Sequence, residues 1–562
     1  MARNLPSHYF YGGYFLLKKP STSQNVCVII ISKMGKIARY LNQLTIGNTF
    51  DAPEILEMYS TDRSVLKIKP KAVTLPESTE DVRKLMRFCN QLATKGIKLP
   101  VTVWGSGLDE TGAGIGNGLI VSTEKMDKLL ETDKRERLVR VQAGITLKEL
   151  NTALSISGLT VPIGGHEQDT IGGLISNCPA DAYAGKYGGI MRYIERIEVV
   201  LPTGDTIQTD WMSPRSAARI AQARTVEGGI YRKLSTLFKD NEELINDIRK
   251  NKHELRGYSK VGITSRKKSF DLLPLFFGAQ GTLGIITEVI LRAVPIESKT
   301  GRALAVFEKY ENAEKYMKIV KTMEPRELDF YDIRIANAAE ETGKKLGINT
   351  AKYEDGGYVV FAKFDKRINA KLSKIAGLKK SLPRSSQLIV EAPKSAPALN
   401  EFENSLTSFL NQVRVGERVP LATNFYLPPE NLGKFLEDVK VLERSLKLDL
   451  ALYGSYSSSN YSLRPKFNVE DDDFLKKAVA FLRSVNFVIN RQGGSIAGGT
   501  PEGRVKALVV QSNMSEEEKN LFTEIRNIFD PNGVMNPDVK LGADARFTLT
   551  HFRSTSSGKT VL

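Results

Sequence analysis

Leu99-Pro100-Val101-Thr102-Val103-Trp104-Gly105-Ser106-Gly107 carries an apolar, β-branched run straight into a pair of glycines, and Gly112, Gly114, Gly116 and Gly118 follow before Leu119-Ile120-Val121. The two apolar runs read as buried strands. Between them, residues without bulky side chains let the backbone approach a ligand closely and aim several N–H groups at it, as a pyrophosphate requires. A strand rather than a helix comes next, so this is not the Rossmann fingerprint. No Gly-Lys-Ser/Thr closes the loop, so it is not a P-loop either. Taken alone, the segment also reads as a flexible hairpin.

Two more glycine-rich segments lie downstream. Pro162-Ile163-Gly164-Gly165 leads into Thr170-Ile171-Gly172-Gly173-Leu174-Ile175-Ser176-Asn177, and Gly278-Ala279-Gln280-Gly281-Thr282-Leu283-Gly284-Ile285-Ile286-Thr287 is the third. Three such segments between residues 99 and 287 are hard to explain as separate loops. The elements around them are regular. Ser78 with Asp81 marks a helix start, Val82, Leu85, Met86 and Cys89 share one face, and Gly96 suits the helix end. Residues 70–122 therefore read as β-α-β. Residues 138–141 form a further strand, Thr146 and Glu149 a capping box, and Leu147, Leu150 and Leu154 an apolar stripe ended by Gly158. Residues 194–201 and 206–208 flank the turn Pro202-Thr203-Gly204-Asp205 as a hairpin.

The chain has 562 residues and a formal net charge of +16. That length implies two or three packed units. The positive charges are spread out, with no basic run and no nucleic-acid motif, so no nucleic-acid partner is expected. An anionic membrane surface fits the charge better. The lysine-rich stretch 363–380 reads as a solvated face. Cys27, Cys89 and Cys178 are too few and too scattered for a disulfide framework or a zinc site. A reducing cytoplasm fits, with docking on the inner membrane face as an extension of the charge argument. The early apolar run at 26–31 is far shorter than a bilayer span. Met34 reads as an alternative translation start, because ordinary domain sequence begins there.

Order and spacing then carry a resemblance. Tyr59-Ser60-Thr61-Asp62, Pro70-Lys71-Ala72-Val73, Val141-Gln142-Ala143-Gly144, Thr170-Ile171-Gly172-Gly173, Lys186-Tyr187-Gly188, Val200-Leu201-Pro202-Thr203-Gly204 and the third glycine segment together resemble the FAD-binding domain of the vanillyl-alcohol oxidase superfamily, the PCMH-type domain. Phe529-Asp530-Pro531-Asn532-Gly533-Val534-Met535-Asn536-Pro537 resembles the closing motif of its D-lactate dehydrogenase and glycolate oxidase branch, and Arg418-Val419-Pro420 a piece of that branch's cap. The resemblance implies an α+β fold. A two-subdomain FAD-binding domain would span 51–300, an α+β cap 301–510, and a return to the FAD domain 511–542. An N-terminal extension, 1–50, would precede these units. The Ser-, Thr- and Gly-rich tail 543–562 reads as disordered.

The same resemblance implies site residues. Gly105, Ser106, Gly107 and Gly112 would bind the FAD pyrophosphate. Pro162, Thr170, Gly172, Gly173 and Asn177 would line the pyrophosphate and flavin, Ile286 would touch the cofactor through its backbone, and Asn536 of the closing motif would complete the set. Some members attach FAD through a histidine beside the first loop. Leu108 stands there in this chain, which implies non-covalent FAD, and His166 reads as a surface or supporting histidine.

The branch also carries two histidine motifs in its cap, which hold a divalent metal and supply a base. At the first place this chain has Ser455-Tyr456-Ser457-Ser458-Ser459-Asn460-Tyr461-Ser462. At the second it has Gly493-Gly494-Ser495-Ile496-Ala497-Gly498-Gly499-Thr500-Pro501-Glu502-Gly503-Arg504. Histidine occurs only as His8, His166, His253 and His551, so a cap metal site of that kind is not expected. Arg334, Arg464 and Arg491, with Arg504, are candidates to bind a carboxylate in bidentate fashion. Tyr456, with Tyr331 and Tyr461, is a candidate acid or base. Each reads equally as surface charge or core packing. The expected activity is dehydrogenation of a small 2-hydroxy acid, with hydride passing to flavin N5 and then to a quinone, oxygen or another acceptor. An aldonolactone- or sugar-alcohol-type oxidase, and a flavin-binding protein without catalysis, stand as alternatives.

Overall fold

The computed structural model describes residues 35–262, 270–297, 299–342, 353, 356–393, 398–410, 418–467 and 473–553. Met34 as a start, Cys27 and His8 lie outside these residues. The strands flanking the first glycine loop build a four-stranded sheet. Strands β1 (Asn48–Phe50), β2 (Ala72–Leu75), β3 (Val101–Trp104) and β4 (Leu119–Ser122) pair in the order β1-β2-β4-β3. The β2–β4 and β3–β4 pairs are parallel. Parallel neighbours need a crossover, and the helix Thr79–Thr94 supplies it. The Ser78 side chain caps that helix by accepting from the Asp81 N–H, and Val82, Leu85, Met86 and Cys89 are buried.

This sheet begins earlier than the expected boundary at 51. Helix Lys36–Leu44 and β1 belong to it, because β1 finds its only partner in β2 among the described strands, and the Asp81 carboxylate holds the Ile46 and Gly47 N–H groups.

A second, antiparallel sheet follows. Strands β5 (Leu129–Asp133), β6 (Leu138–Gln142), β8 (Ile194–Val200), β9 (Thr206–Gln208) and β10 (Ile285–Arg292) pair in the order β5-β6-β10-β8-β9. Strands β7 (Leu159–Thr160) and β11 (Val294–Pro295) form a small ribbon beside it. The Thr146–Glu149 capping box forms, with Leu147, Leu150 and Leu154 buried behind it.

The third unit is a seven-stranded antiparallel sheet. It contains β12 (Gly301–Phe307), β13 (Glu327–Asp332), β14 (Tyr358–Phe364), β15 (Gln387–Glu391), β16 (Ala422–Tyr426), β17 (Asp449–Ser455) and β18 (Asn460–Lys466), in the order β15-β12-β14-β13-β17-β18-β16. Period-two alternation sorts its side chains to two faces. Leu328 and Phe330 enter the main core with Phe425, Phe435 and Phe481. Tyr331, Phe361 and Ala451 point the other way, against Phe402 and Leu406 of helix Ala398–Leu410. Glu327 and Asp329 share that second face by the same alternation.

Two further expected boundaries change. The return to the FAD domain starts well before 511. The Ala180 N–H donates to the Gly499 carbonyl at 2.7 Å, the Leu255 N–H to Ala497 at 3.1 Å, and the Arg504 N–H to Thr111 at 2.9 Å. The tail is also ordered further than its composition suggests. Residues Ala545–Thr550 are helical, the Lys67 N–H donates to the His551 carbonyl, and Phe552 packs edge-on against Phe474. Its aromatic residues give the segment something to bury; 554–562 lie outside the described residues. No helix among the described residues is long and apolar enough to cross a membrane.

Candidate functional site

The cap face and the glycine loops close on one cleft of about 480 Å³. Gly105, Ser106, Gly107, Thr170, Gly172, Gly173, Asn177 and Ile286, all residues of the cofactor set that the resemblance implies, line it. The loops do different jobs. The backbone N–H groups of Gly105, Ser106, Gly107 and Leu108 donate to no acceptor among the described residues. By contrast, the Gly172 N–H is taken by the Ala143 carbonyl at 2.8 Å, and the Gly173 N–H by Thr170 Oγ1 at 3.2 Å. Free donors for an anion therefore sit on the first loop.

The glycines are demanded by contact. A Cβ on Gly105 would lie 2.5 Å from Thr170 Oγ1, and one on Gly172 would lie 2.9 Å from the Ala143 methyl. Gly107 has φ +72°, and its Cβ would meet the Trp104 ring at 2.4 Å. Buried polar atoms without a protein partner among the described residues also face the cleft: Asp181 Oδ2, Asn460 Oδ1 and Arg464 Nε. Open loop donors, side-chain-free approach and orphaned polar atoms fit a large, anionic, hydrogen-bonding ligand such as FAD.

Three residues of the expected cofactor set do not line the cleft. Gly112 is buried at a turn with φ +77° against Leu66, and its carbonyl accepts from Arg504 Nη1 at 2.6 Å. Pro162 is buried behind the second loop. Asn536 lies underneath, donating its amide to the carbonyls of Ala113 and Gln280 at 2.9 and 2.8 Å. Arg504 joins these parts. Its guanidinium donates to Gly112 O, Ile115 O, Asn536 Oδ1 and Pro537 O. The closing motif thus ties the loops in place from below. Burial pushes the Arg504 pKa down to about 10, so it remains charged at neutral pH.

The catalytic candidates separate cleanly. Arg464 lines the cleft, fully buried, with Nη2 on Glu110 at 2.9 Å and its guanidinium 5.4 Å from the Tyr453 ring centre. Arg334 does not line it. Its donors are consumed by Asp332, Glu443, Asp449 and the Leu450 carbonyl. Arg491 is exposed and pairs with Asp438. Tyr456 is buried beside Lys321, away from the cleft, and burial raises its pKa, opposite to what a base needs. Arg334, Arg491 and Tyr456 therefore lie outside the cleft lining, and a lone arginine or tyrosine in the sequence carries no signal of which partners will enclose it.

Tyr331, a candidate acid or base from the sequence, lines the cleft, and with it stand three acids of the cap that no sequence motif marked: Glu327, Asp329 and Glu403. Alternation in Glu327-Leu328-Asp329-Phe330-Tyr331 is the signal that they share a face. Lys363, expected in a solvated stretch, is buried between Glu327 (3.1 Å) and Glu403 (2.5 Å). Tyr331 Oη donates to Asp329 Oδ2 at 3.3 Å. Burial first, and then the nearby Glu327 charge, push the Asp329 pKa well above the usual carboxyl range. Burial also raises Asp169 and Asp181, which flank the second glycine segment, each to about 6. His166 is half-buried at the cleft wall, and burial lowers its pKa. The two sequence places that lack histidine present Ser455, Ser462 and Thr500 to the cleft. Among the described residues no group of three His, Cys, Asp or Glu side chains is placed to hold a metal ion.

Comparison with known proteins agrees with this geometry. The FAD binding domain family matches residues 70–210, and the family of C-terminal domains of FAD linked oxidases matches residues 297–539. A D-lactate dehydrogenase of Anaerostipes hadrus is 24% identical over 505 residues, covering 86% of this chain and 92% of that protein. Glycolate oxidase subunit GlcD of Bacillus subtilis is 22% identical, covering 85% and 90%. D-2-hydroxyglutarate dehydrogenase of Pantoea ananatis is 25% identical over 85% of this chain, which spans 48% of that longer protein. Among solved structures, 4-ethylphenol oxidase from Gulosibacter chungangensis superposes with a TM-score of 0.63 at 15% identity, covering 94% of this chain and 99% of that one. p-Cresol methylhydroxylase superposes with a TM-score of 0.62 at 13% identity, covering 92% and 97%; both show the fold. The chain belongs to the PCMH-type FAD-linked oxidoreductases, in the branch of D-lactate dehydrogenase and glycolate oxidase.

Proposed function

We propose that this protein dehydrogenates a small hydroxylated substrate, with a 2-hydroxy acid of the D-lactate kind as the first choice. The observation that carries the reading is a shared cleft in which open loop donors at Gly105–Leu108 stand with a polar cap surface. When bound, FAD supplies a two-electron acceptor for the substrate's C–H hydride at N5. The first loop would hold its pyrophosphate, Thr170, Gly173, Asn177 and Ile286 would flank the rest, and Leu108 in place of a histidine leaves the attachment non-covalent. Arg464, with Nε unpartnered and buried, would receive a substrate carboxylate. Electrons would leave to a quinone, oxygen or another acceptor, and the basic chain suits docking on an anionic membrane from the cytoplasmic side.

A second reading takes a neutral sugar alcohol or aldonolactone. Glu110, Glu327, Asp329 and Glu403 outnumber Arg63 and Arg464 along the cleft, and Glu110 already engages Arg464. Anaerobic mixing of the FAD-loaded protein with D-lactate, glycolate, D-2-hydroxyglutarate and a set of sugar alcohols decides between them. Bleaching by an acid supports the first reading, and bleaching by polyols alone supports the second. No bleaching by any compound refutes both and leaves a flavin-binding protein without this catalysis.

A further inference from the structure

Histidine is missing from the cleft-facing side of the cap among the described residues, yet removing a hydroxyl proton needs a base within hydrogen-bond reach. Strand register narrows the choice. Asp329 of β13 pairs with Ser455 of β17, and Ser455 pairs with Asn460 of β18. Residues directly opposite share a face, so Asp329, Ser455 and Asn460 form one row. Tyr331, Tyr453 and Ser462 form the next row. Both rows line the cleft.

The other acids of the wall are committed. Glu327 is held by Lys363, and Glu403 by Lys363 and Arg302. Asp181 Oδ1 accepts from the backbone N–H groups of Gly164 and Tyr183, and Asp169 Oδ2 from that of His166. Glu110 pairs with Arg464. Asp329 differs in what surrounds it. Its Oδ1 is buried without a hydrogen-bond partner among the described residues, as are Asp181 Oδ2 and Glu327 Oε1, but among the described residues neither of its oxygens meets a cation or a backbone N–H, and its neighbours Tyr331 and Ser455 are hydroxyls that can relay a proton.

We infer that Asp329 is the proton acceptor of this site, with Tyr331 and Ser455 as its positioning residues; this rests on the dehydrogenase reading above. The Asp329 carboxylate takes the proton of the substrate hydroxyl. The electrons of that O–H bond complete the new C=O, and the C–H bond pair leaves as hydride to FAD. The substrate loses two electrons and two hydrogens, FAD gains the hydride, and Asp329 carries the proton until solvent removes it. A base raised by burial is the stronger for it. The titratable groups acting on Asp329 are Glu327 and Tyr331 on its own strand and Glu403 on helix Ala398–Leu410, with Lys363 on β14 pairing both glutamates; Tyr453, Arg464, Asp181 and Tyr183 line the same cleft.

The test uses the FAD-loaded full chain as wild type, Asp329→Asn and Asp329→Glu. All three should retain FAD. Anaerobic flavin reduction by the best substrate of the panel should fall by about 100-fold or more in Asp329→Asn and by under about tenfold in Asp329→Glu, the range that base removal produces. The wild-type rate should rise with pH through a midpoint above the ordinary carboxyl range, and Asp329→Asn should lose that step. An Asp329→Asn rate within about threefold of wild type with an unchanged pH profile overturns the inference. A substrate-free measurement covers failure of the wider reading. The bound flavin's midpoint potential, titrated chemically against pH, should break at the same position in wild type and not in Asp329→Asn. If no substrate bleaches wild type, the dehydrogenase reading fails, and the base assignment falls with it if that break is absent too. A break that disappears in Asp329→Asn keeps this carboxyl as the titrating group facing the flavin.

Discussion

Replacing Arg504 by methionine should release the first glycine loop from below. Methionine keeps much of the volume and removes all the donors. The structure gives Arg504 four hydrogen bonds, at 2.6 Å to Gly112 O, 2.7 Å to Ile115 O, 2.9 Å to Pro537 O and 3.3 Å to Asn536 Oδ1. Bonds from a charged donor contribute about 1.5–3 kcal/mol each. Against that sum stands the cost of a buried guanidinium with no carboxylate on it, which is several kcal/mol and is returned on substitution. The net loss is about 3–5 kcal/mol, because three backbone carbonyls are left unpaired in the interior. At about 2 °C per kcal/mol, the melting temperature should fall by about 6–10 °C. Differential scanning fluorimetry at fixed FAD concentration measures this, and the ratio of flavin to protein absorbance reads cofactor retention. The variant should lose FAD on gel filtration and regain stability in excess FAD, by about 2.7 kcal/mol at a hundredfold over its dissociation constant. A variant melting within about 2 °C of wild type with full FAD content would show that the loop does not depend on Arg504, and would refute the reasoning.

Gly107→Ala should abolish stoichiometric FAD, since its φ of +72° is strained for any side chain and its Cβ would run into Trp104; full flavin absorbance in the purified variant would contradict this. Asp365→Asn removes a carboxylate that holds both Lys186 and Tyr187 of the FAD domain against the cap, so proteolysis between the units should speed up several-fold. Asp169 and Asp181, each raised by burial to about 6, sit above their unfolded values of about 3.9. The folded state therefore binds more protons between about pH 4 and 6, and stability should fall as pH rises through that window and level off above it. The Asp169→Asn, Asp181→Asn double variant should flatten the melting profile there. Arg491→Ala should leave flavin reduction unchanged, because the side chain is exposed on Asp438 and does not line the cleft.

Much of the FAD domain was legible because its signals are local. The Ser78 cap, the Thr146–Glu149 capping box and the β8–β9 hairpin each depend on residues within a turn of one another. The three glycine segments were legible for a related reason, since a missing side chain is visible in the sequence before its neighbours are known. The cap was read less well. Arg334 and Arg491 looked as good as Arg464, and each of the three pairs with an acid; only their placement told them apart, because Arg464 alone of the three lines the cleft. Lys363 lay in a run of lysines and was read as solvated, yet Glu327 beside it on the sheet and Glu403 on a helix 40 residues away enclose it.

By itself, the sequence determined that this chain would fold as a PCMH-type FAD protein and that no imidazole would stand in the cap motifs. Tight turns, caps and close backbone approach require particular residue types at particular spacings. Only the tertiary structure decided which loop keeps its N–H groups free, that Asn536 and Arg504 brace the loops instead of lining the cleft, and that Asp329 faces it across from Ser455. Those outcomes depend on strand register and on partners hundreds of residues apart, and the burial of a charge beside its neighbours exists only once the chain has closed.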